Sequence, residues 1–294
     1  MFDAAAWCDA LPRAEYADLD RVFVQSGHAW FEVYDVGADV FALYEPNQFQ
    51  EVISYLIVGQ SRALLYDTGM GIASIRDVVS RLTELPVVVL NSHTHADHVG
   101  GNAEFDHVFG LDTDFTRASA AGLPNEVVAG QVAPDALCAP LPGDLEPDEY
   151  RIRPFQVTET LVAGETVDLG GRSLEVLAAP GHTPDAILLH DPESGLLFTG
   201  DSYYPGPIYL FSPETDWDAY RRSMTAAAAL VPDLVRLHPG HNVAVSDPGA
   251  LSRLVSAVQT IDDGTAAAAA SEGARLRYDF DGFSILRPAV ETAP

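Results

Sequence analysis

Three histidines and one aspartate fall within six consecutive positions, directly after an apolar run at residues 87–90. These four residues are His93, His95, Asp97 and His98. An apolar run that ends in a turn is typical of a strand leading into a loop, which can aim alternate side chains at one point. Imidazole and carboxylate groups suit Zn²⁺ and, less selectively, Mn²⁺ or Fe²⁺. The run therefore predicts a metal site at the end of a strand.

Three further candidate ligands each follow a strand-like run and lie beside a glycine. They are His182, Asp201 and His241. A single H-x-H pair could consist of histidines that are hydrogen-bonded within a loop. Seven candidate ligands instead suit two metal ions that share one carboxylate and leave a position open for water.

These motifs, together with Asp67-Thr68-Gly69, occur in the order typical of the metallo-β-lactamase superfamily of dinuclear metallohydrolases. The sequence resembles that family from about residue 20 to residue 245. The resemblance implies that the first metal is held by His93, His95 and His182. It implies that the second is held by Asp97, His98 and His241, and that Asp201 bridges the two. Two Zn²⁺ ions are the expected cofactors, with Mn or Fe as alternatives.

Hydrophobic patterning predicts two β-rich halves, about 20–132 and 155–290, joined by a proline-rich connection. Strands are predicted at 21–25, 30–36, 40–44, 53–58, 63–66, 87–90, 156–162, 166–169, 173–178, 186–190, 196–199 and 234–237, with a strand or tail at 278–286. Helices are predicted at 72–82, at about 248–261, and from an N-cap at Ser212 with Pro213 in the first turn. Since both halves supply ligands, we expect one domain over 1–294. The resemblance implies an α/β, four-layer αββα sandwich.

Two bound cations would lower the pKa of a bridging water from ~15.7 towards neutrality and so supply a hydroxide nucleophile. Asp97 is expected to be catalytic as well as a ligand, either orienting the hydroxide or passing a proton to the leaving group. Tyr204 stands three residues after Asp201, as a tyrosine does in similar lactonases, and is predicted to stabilise the oxyanion. Packing against the following proline turn is the alternative for Tyr204. Asp67 either holds a ligand imidazole or caps a turn.

The expected reaction is hydrolysis of a thioester, ester or lactone in a small-molecule substrate. Glyoxalase II, lactonase and acyl-coenzyme A thioesterase members are the similar branches. The last resembles the chain from Arg151 to His182, and Arg151, Arg153, Arg221 and Arg222 are candidates to bind coenzyme A phosphates. Two alternatives stay open: a β-lactam hydrolase side activity, and a mononuclear iron persulfide dioxygenase.

The strongly negative net charge of the chain limits which molecules it can bind. The chain has 43 acidic and 16 basic residues, a formal net charge of −27, and every basic residue is arginine. Nucleic-acid binding requires a cationic surface, so it is not expected. Adaptation to a saline cytoplasm and a coding bias against lysine explain this composition equally well.

The N-terminal residues resemble neither a secretory signal nor a membrane anchor, and no apolar run approaches ~18 residues. A cytoplasmic protein without membrane contact is therefore expected, and the sequence does not specify its oligomeric state. Cys8 and Cys138 are far apart in the chain, which favours two separate thiols over a disulfide.

Overall fold

The computed structural model describes residues 4–143 and 145–289. Within these ranges the strands are β1 (Asp20–Val22), β2 (Glu32–Gly37), β3 (Val40–Tyr44), β4 (Ile53–Val58), β5 (Ala63–Tyr66), β6 (Val87–Leu90), β7 (Val108–Leu111), β8 (Glu159–Leu161), β9 (Thr166–Asp168), β10 (Ser173–Ala178), β11 (Ile187–Asp191), β12 (Leu196–Gly200), β13 (Gly206–Tyr209), β14 (Arg236–Pro239), β15 (Ala270–Glu272), β16 (Arg275–Phe280) and β17 (Phe283–Pro288). The α-helices are α1 (Ala4–Asp9), α2 (Ile75–Leu82), α3 (Ala96–Val99), α4 (Asp114–Ala120), α5 (Asn125–Val128), α6 (Trp217–Ala228) and α7 (Gly249–Asp262).

The strands form three sheets. The first has eight strands in the order β1 to β8, antiparallel as far as β5 and parallel from β5 to β8. The second has the order β14-β12-β11-β10-β9, with β12 and β14 parallel. A smaller sheet of order β13-β17-β16-β15 contains the C-terminal hairpin. Parallel neighbours end at the same edge of a sheet, so β5, β6, β12 and β14 can all deliver side chains to one edge.

The hydrophobic core has three layers. Between the two large sheets, Tyr55 of β4 packs against Phe198 of β12, with ring centroids 5.3 Å apart. The next residue, Leu56, faces the opposite side of the sheet, where it joins a core that includes residues of α2. On the far side of the second sheet, Leu197 packs with Tyr220 of α6. The order is helix, sheet, sheet, helix, which confirms the predicted α/β, four-layer αββα sandwich.

Helices α2 and α6 begin later than predicted, because the side chains that cap their N-termini lie further along the chain. Helix α2 begins at Ile75, since the Ser74 side chain accepts a hydrogen bond from the Asp77 amide. Helix α6 begins at Trp217, where the Asp216 carboxylate accepts from the Ala219 amide. The predicted N-cap at Ser212 is therefore wrong by four residues.

Strand predictions were accurate where apolar runs were uninterrupted and incomplete where glycine or proline interrupted them. The bounds of β3, β4, β5, β6 and β10 match the predicted ranges. Strands β7 and β13, of four residues each, were missed. Strand β8 lies in the predicted second half yet pairs with β7 in the first sheet. The single-domain assignment stays a prediction.

Cys8 and Cys138 form a disulfide, so the prediction of two separate thiols is wrong. The segment that follows α1 returns to the loop before β4, where Arg13 forms an ion pair with Glu51. The Cys138 amide donates to the carbonyl of Asn47 in that same loop. These contacts bring together two cysteines separated by 130 positions, which the sequence does not reveal. Disulfides persist mainly in oxidising compartments, so this pairing weakens the argument for a cytoplasmic location.

None of the helices in the described ranges has the length and apolar character needed to cross a membrane.

The disulfide should contribute measurably to stability because it closes a long loop in the unfolded chain. For Cys8→Ala/Cys138→Ala we expect the free energy of unfolding to fall by about 2–4 kcal/mol. Urea unfolding under non-reducing conditions measures this decrease. Adding a dithiol reductant to the parent protein should lower its free energy of unfolding by a similar amount. Equal midpoints for the parent and the double variant would show that the bridge does not stabilise the fold.

Candidate metal centre

The predicted ligands lie just beyond the ends of four strands. His93 follows β6, and Asp201 follows β12 directly. His182 stands in the loop after β10, and His241 two residues after β14. All seven predicted ligands come together at this edge of the two sheets.

Three imidazoles form the first group of candidate ligands, called the first ligand group below. His95 Nδ1 lies 3.0 Å from His93 Nε2 and 3.0 Å from His182 Nε2. Three nitrogens bound to one tetrahedral Zn²⁺ would be separated by about 3.3 Å, given Zn–N bonds of about 2.0–2.1 Å. The spacing therefore fits a single cation held by this group.

Asp97, His98 and His241 form the second group of candidate ligands, called the second ligand group below. Asp97 Oδ2 lies 3.6 Å from His98 Nε2 and 3.8 Å from His241 Nε2. Asp201 faces both groups. Its Oδ1 is 3.1 Å from His98 Nε2 and 2.9 Å from His241 Nε2, while its Oδ2 is 3.4 Å from His182 Nε2.

Two buried atoms of the centre have no hydrogen-bond partner. They are His98 Nε2 and Asp201 Oδ1, which face each other at 3.1 Å, a distance that suits two ligands of one ion. Unpaired buried polar atoms are rare because each costs about 1–3 kcal/mol. The nitrogen-rich donor set and these two atoms fit a borderline metal such as Zn²⁺.

Burial and mutual charge set the protonation of the metal-free centre. Burial lowers the pKa of His182 to about 4, and burial also holds the pKa of His93 well below its usual value. For His98 burial acts in the same direction, but the carboxylates of Asp201, Asp67 and Asp97 outweigh it and raise its pKa. Burial opposes ionisation of Asp201, yet the neighbouring histidines hold the pKa of Asp201 well below the usual range.

Each ligand imidazole uses its outer nitrogen for a hydrogen bond. Two of these partners are backbone carbonyls: Tyr209 O lies 3.0 Å from His182 Nδ1, and Gln50 O lies 2.6 Å from His241 Nδ1. The Ser92 hydroxyl lies 3.0 Å from His93 Nδ1. The two carbonyls can only accept, so they place the ring proton on Nδ1 and leave Nε2 free to face a metal, while the Ser92 hydroxyl orients the His93 ring.

The remaining two imidazoles are bonded to carboxylates. Asp67 Oδ2 lies 2.9 Å from His98 Nδ1, and Asp67 Oδ1 accepts a hydrogen bond from the Ser92 amide. Asp67 therefore holds a ligand imidazole, which was one of its two predicted roles. Its φ of +65° is unusual for an aspartate, and the two hydrogen bonds account for the strained conformation. Glu214 Oε1 lies 2.8 Å from His95 Nε2.

A family model for the metallo-β-lactamase superfamily matches residues 50–241 of the sequence. That span contains both ligand groups and Asp201. The chain belongs to the metallo-β-lactamase superfamily.

Two of the curated relatives are named as a thioesterase and a hydroxyacylglutathione hydrolase. The acyl-coenzyme A thioesterase MBLAC2 of Bos taurus is 29% identical over 209 residues, which cover 66% of this chain and 71% of the relative. The hydroxyacylglutathione hydrolase of Synechococcus sp. (strain JA-3-3Ab) is 36% identical over 152 residues, which cover 49% of this chain and 48% of the relative.

Solved structures show the same superfamily fold. The sec-alkylsulfatase Pisa1 from Pseudomonas sp. matches with a TM-score of 0.61 and 17% identity, covering 79% of this chain and 42% of that one. A metallo-β-lactamase family protein from Thermus thermophilus matches with a TM-score of 0.56 and 20% identity, covering 78% and 82% of the two chains. At these identities the likeness concerns the fold alone.

Gln50 and Glu214 contact candidate ligands but were not found from the sequence. The Gln50 side-chain amide donates to Asp97 Oδ2 at 3.0 Å, and the carbonyl of the same residue lies against His241. A single residue therefore supports two members of the second ligand group. Neither Gln50 nor Glu214 belongs to a local motif, so only the folded contacts reveal them.

Tyr204 is buried beside the centre, with its ring centroid 4.8 Å from that of His241. Its hydroxyl donates to the carbonyl of Pro207. A phenol has one proton to donate, so an oxyanion role requires Tyr204 to release Pro207 when substrate binds. Its catalytic role stays a prediction.

The four arginines considered for coenzyme A binding are exposed. Arg153 lies 3.5 Å from Glu104, and Arg221 pairs with Asp218 and Asp262. Exposed, partly neutralised arginines are weak anion ligands. The contacts of Arg153 and Arg221 are those expected of solvated surface side chains.

Gly181 places His182 by allowing close contact with α6. Its φ is +148°, and an added Cβ would lie 2.3 Å from Tyr220 Cα. We therefore expect Gly181→Ala to lower the free energy of unfolding by about 2–4 kcal/mol, since backbone strain and overpacking add. The control is Gly130→Ala, because a Cβ there meets nothing within 4 Å. Urea unfolding measures the free energy of unfolding of both variants. Equal values for Gly181→Ala and Gly130→Ala would contradict the explanation by close contact with Tyr220.

Proposed function

We propose that this protein is a dinuclear, zinc-dependent hydrolase whose principal substrates are thioesters, with esters and lactones as further candidates. The observation that carries the proposal is the placement of Asp201. One oxygen of its carboxylate faces His98 and His241, and the other faces His182. A carboxylate shared by two ligand groups is the arrangement expected when two cations lie side by side.

Bound metal ions would supply Lewis acidity for the substrate carbonyl and lower the pKa of water at the centre. The first ion would be held by His93, His95 and His182. The second would be held by Asp97, His98 and His241, with Asp201 shared. Mn or Fe could replace Zn, because the nitrogen and oxygen donors accept all three.

Asp97 is the residue that we propose to move the proton. It is buried, and Gln50 fixes one of its carboxylate oxygens by a hydrogen bond at 3.0 Å. A carboxylate held in one orientation beside the reacting centre can orient water and later protonate the departing thiolate. Gln50 thereby limits the positions from which Asp97 can act.

The relatives favour a thioester among the candidate substrates. One is named an acyl-coenzyme A thioesterase and the other a hydroxyacylglutathione hydrolase. Thiolates leave more readily than alkoxides because thiols are stronger acids. Proton delivery by Asp97 is therefore less demanding for a thioester than for an unactivated ester.

The proposal is tested by substrate and metal measurements on one preparation. Protein stripped with a chelator is reconstituted separately with Zn²⁺, Mn²⁺ and Fe²⁺, and the metal content per chain is measured. Each form is then assayed with acyl-coenzyme A esters of several chain lengths, an S-acylglutathione, a lactone and a β-lactam. We expect two metal equivalents and the highest kcat/KM on a thioester. Two bound metals without turnover of any of these compounds would refute the hydrolase assignment.

The alternatives give different results in the same experiment. A β-lactam side activity would appear as lactam cleavage with a much lower kcat/KM than thioester cleavage. A mononuclear iron persulfide dioxygenase would retain about one iron per chain and consume oxygen with a persulfide.

Asp201→Ala should remove at least one metal equivalent and lower turnover by orders of magnitude, because the shared carboxylate is lost. Asp233→Ala is the control, since Asp233 is an exposed acid outside the centre. Metal analysis and thioester assays compare the two variants. Full metal content with normal activity in Asp201→Ala would disprove the dinuclear centre.

The oxyanion role of Tyr204 predicts that Tyr204→Phe lowers kcat by roughly ten- to a thousand-fold with little change in metal content. The reason is that the lost hydrogen bond would form only with the transition state. Steady-state kinetics on the best thioester provide the measurement. A kcat equal to that of the parent would leave Tyr204 with its observed roles of packing on His241 and bonding Pro207.

A further inference from the structure

His95 is the ligand most open to solvent. About a quarter of its side chain is exposed (25%), whereas the side chain of His98 is fully covered. An exposed imidazole can rotate unless something holds it. Its outer nitrogen, Nε2, lies 2.8 Å from the carboxylate of Glu214, whose side chain is 22% exposed.

The geometry also fixes the proton on this ring. His95 Nδ1 faces His93 Nε2 and His182 Nε2, so Nδ1 must offer a lone pair if the group is to bind a cation. The ring proton then resides on Nε2 and is donated to Glu214. Without an acceptor there, the ring could as well carry its proton on Nδ1 and present no lone pair.

Glu214 belongs to a short segment that contacts the first ligand group at several points. The next residue, Thr215, donates from its hydroxyl to the carbonyl of His182. The Asp216 amide donates to the carbonyl of Gly181, and the Asp216 side chain caps α6. The helix terminus therefore anchors Glu214, which keeps its carboxylate in place although the side chain is partly exposed.

We propose that Glu214 is the positioning residue for His95 and sets the affinity of the first ligand group for its metal. The inference rests on the dinuclear centre of the proposed function. Each ligand group then contains one histidine bonded to a carboxylate. In the second group His98 bonds to Asp67, and in the first His95 bonds to Glu214. A carboxylate in this position fixes the ring tautomer and increases the basicity of the metal-facing nitrogen.

The test compares Glu214→Ala and Glu214→Gln with Glu193→Gln. Glu193 is an exposed acid in the turn between β11 and β12, so its replacement makes the same change in net charge away from the centre. Zn²⁺ affinity is measured for both equivalents by competition with a chromophoric chelator. We expect Glu214→Ala to weaken one equivalent by about 10- to 100-fold and to leave the other near the parent value. Glu214→Gln should weaken it less, because an amide oxygen still accepts the hydrogen bond.

A second measurement separates positioning from a general structural role. In Co²⁺-substituted protein, the exchangeable ring N–H protons of ligand histidines give shifted NMR signals. The signal from His95 should exchange faster in Glu214→Ala, while the urea midpoint of the metal-free protein stays at the parent value. Unchanged affinities for both equivalents would overturn the proposal. Equal weakening of both, with a lower urea midpoint, would also overturn it in favour of a structural role.

The two proposals fail in different ways. If the parent protein binds fewer than two equivalents, the dinuclear function fails and the role of Glu214 fails with it. If the parent binds two equivalents and Glu214→Ala does the same with unchanged affinity, only the role of Glu214 is refuted.

Discussion

Five imidazoles can face the two candidate metal positions because each has a hydrogen-bond partner on its other side. Ser92, Tyr209 and Gln50 supply a hydroxyl and two carbonyls, while Asp67 and Glu214 supply carboxylates. Without these partners the rings could rotate or take the opposite tautomer, and the metal-facing nitrogens would be lost. The rest of the fold serves to hold these five partners at fixed distances from the ligands.

The sheets provide that rigidity because the ligand loops are short extensions of buried strands. Strands β5 and β6 run parallel and end beside each other, which places Asp67 next to Ser92. The second sheet contributes Asp201 and His241 in the same way, from the ends of β12 and β14. Tyr55 connects the two sheets near this edge, because its hydroxyl donates to the carbonyl of Pro239.

Local sequence patterns were sufficient to find the candidate ligands and most strands. The H-x-H-x-D-H run and the strand-like runs before His182 and Asp201 are visible without any tertiary information. Gln50 and Glu214 could not be found in this way, because they lie 191 and 119 positions from the histidines that they contact. The disulfide could not be predicted for the same reason, since only the folded loop near Glu51 brings its two cysteines together.

The negative charge of the carboxylates around the centre couples metal binding to the protonation of its histidines. Asp67, Asp97, Asp201 and Glu214 place four carboxylates around the five imidazoles, and two divalent cations would balance the four negative charges. In the metal-free centre, burial opposes protonation of His98, but Asp201 and its neighbouring carboxylates outweigh burial and raise the pKa of His98, and the pKa of His241 shifts in the same direction. Because these two pKa values are raised, a cation competes with a proton for each ring. Metal binding at His98 and His241 is therefore coupled to proton release, and falling pH competes with the metals at these two rings.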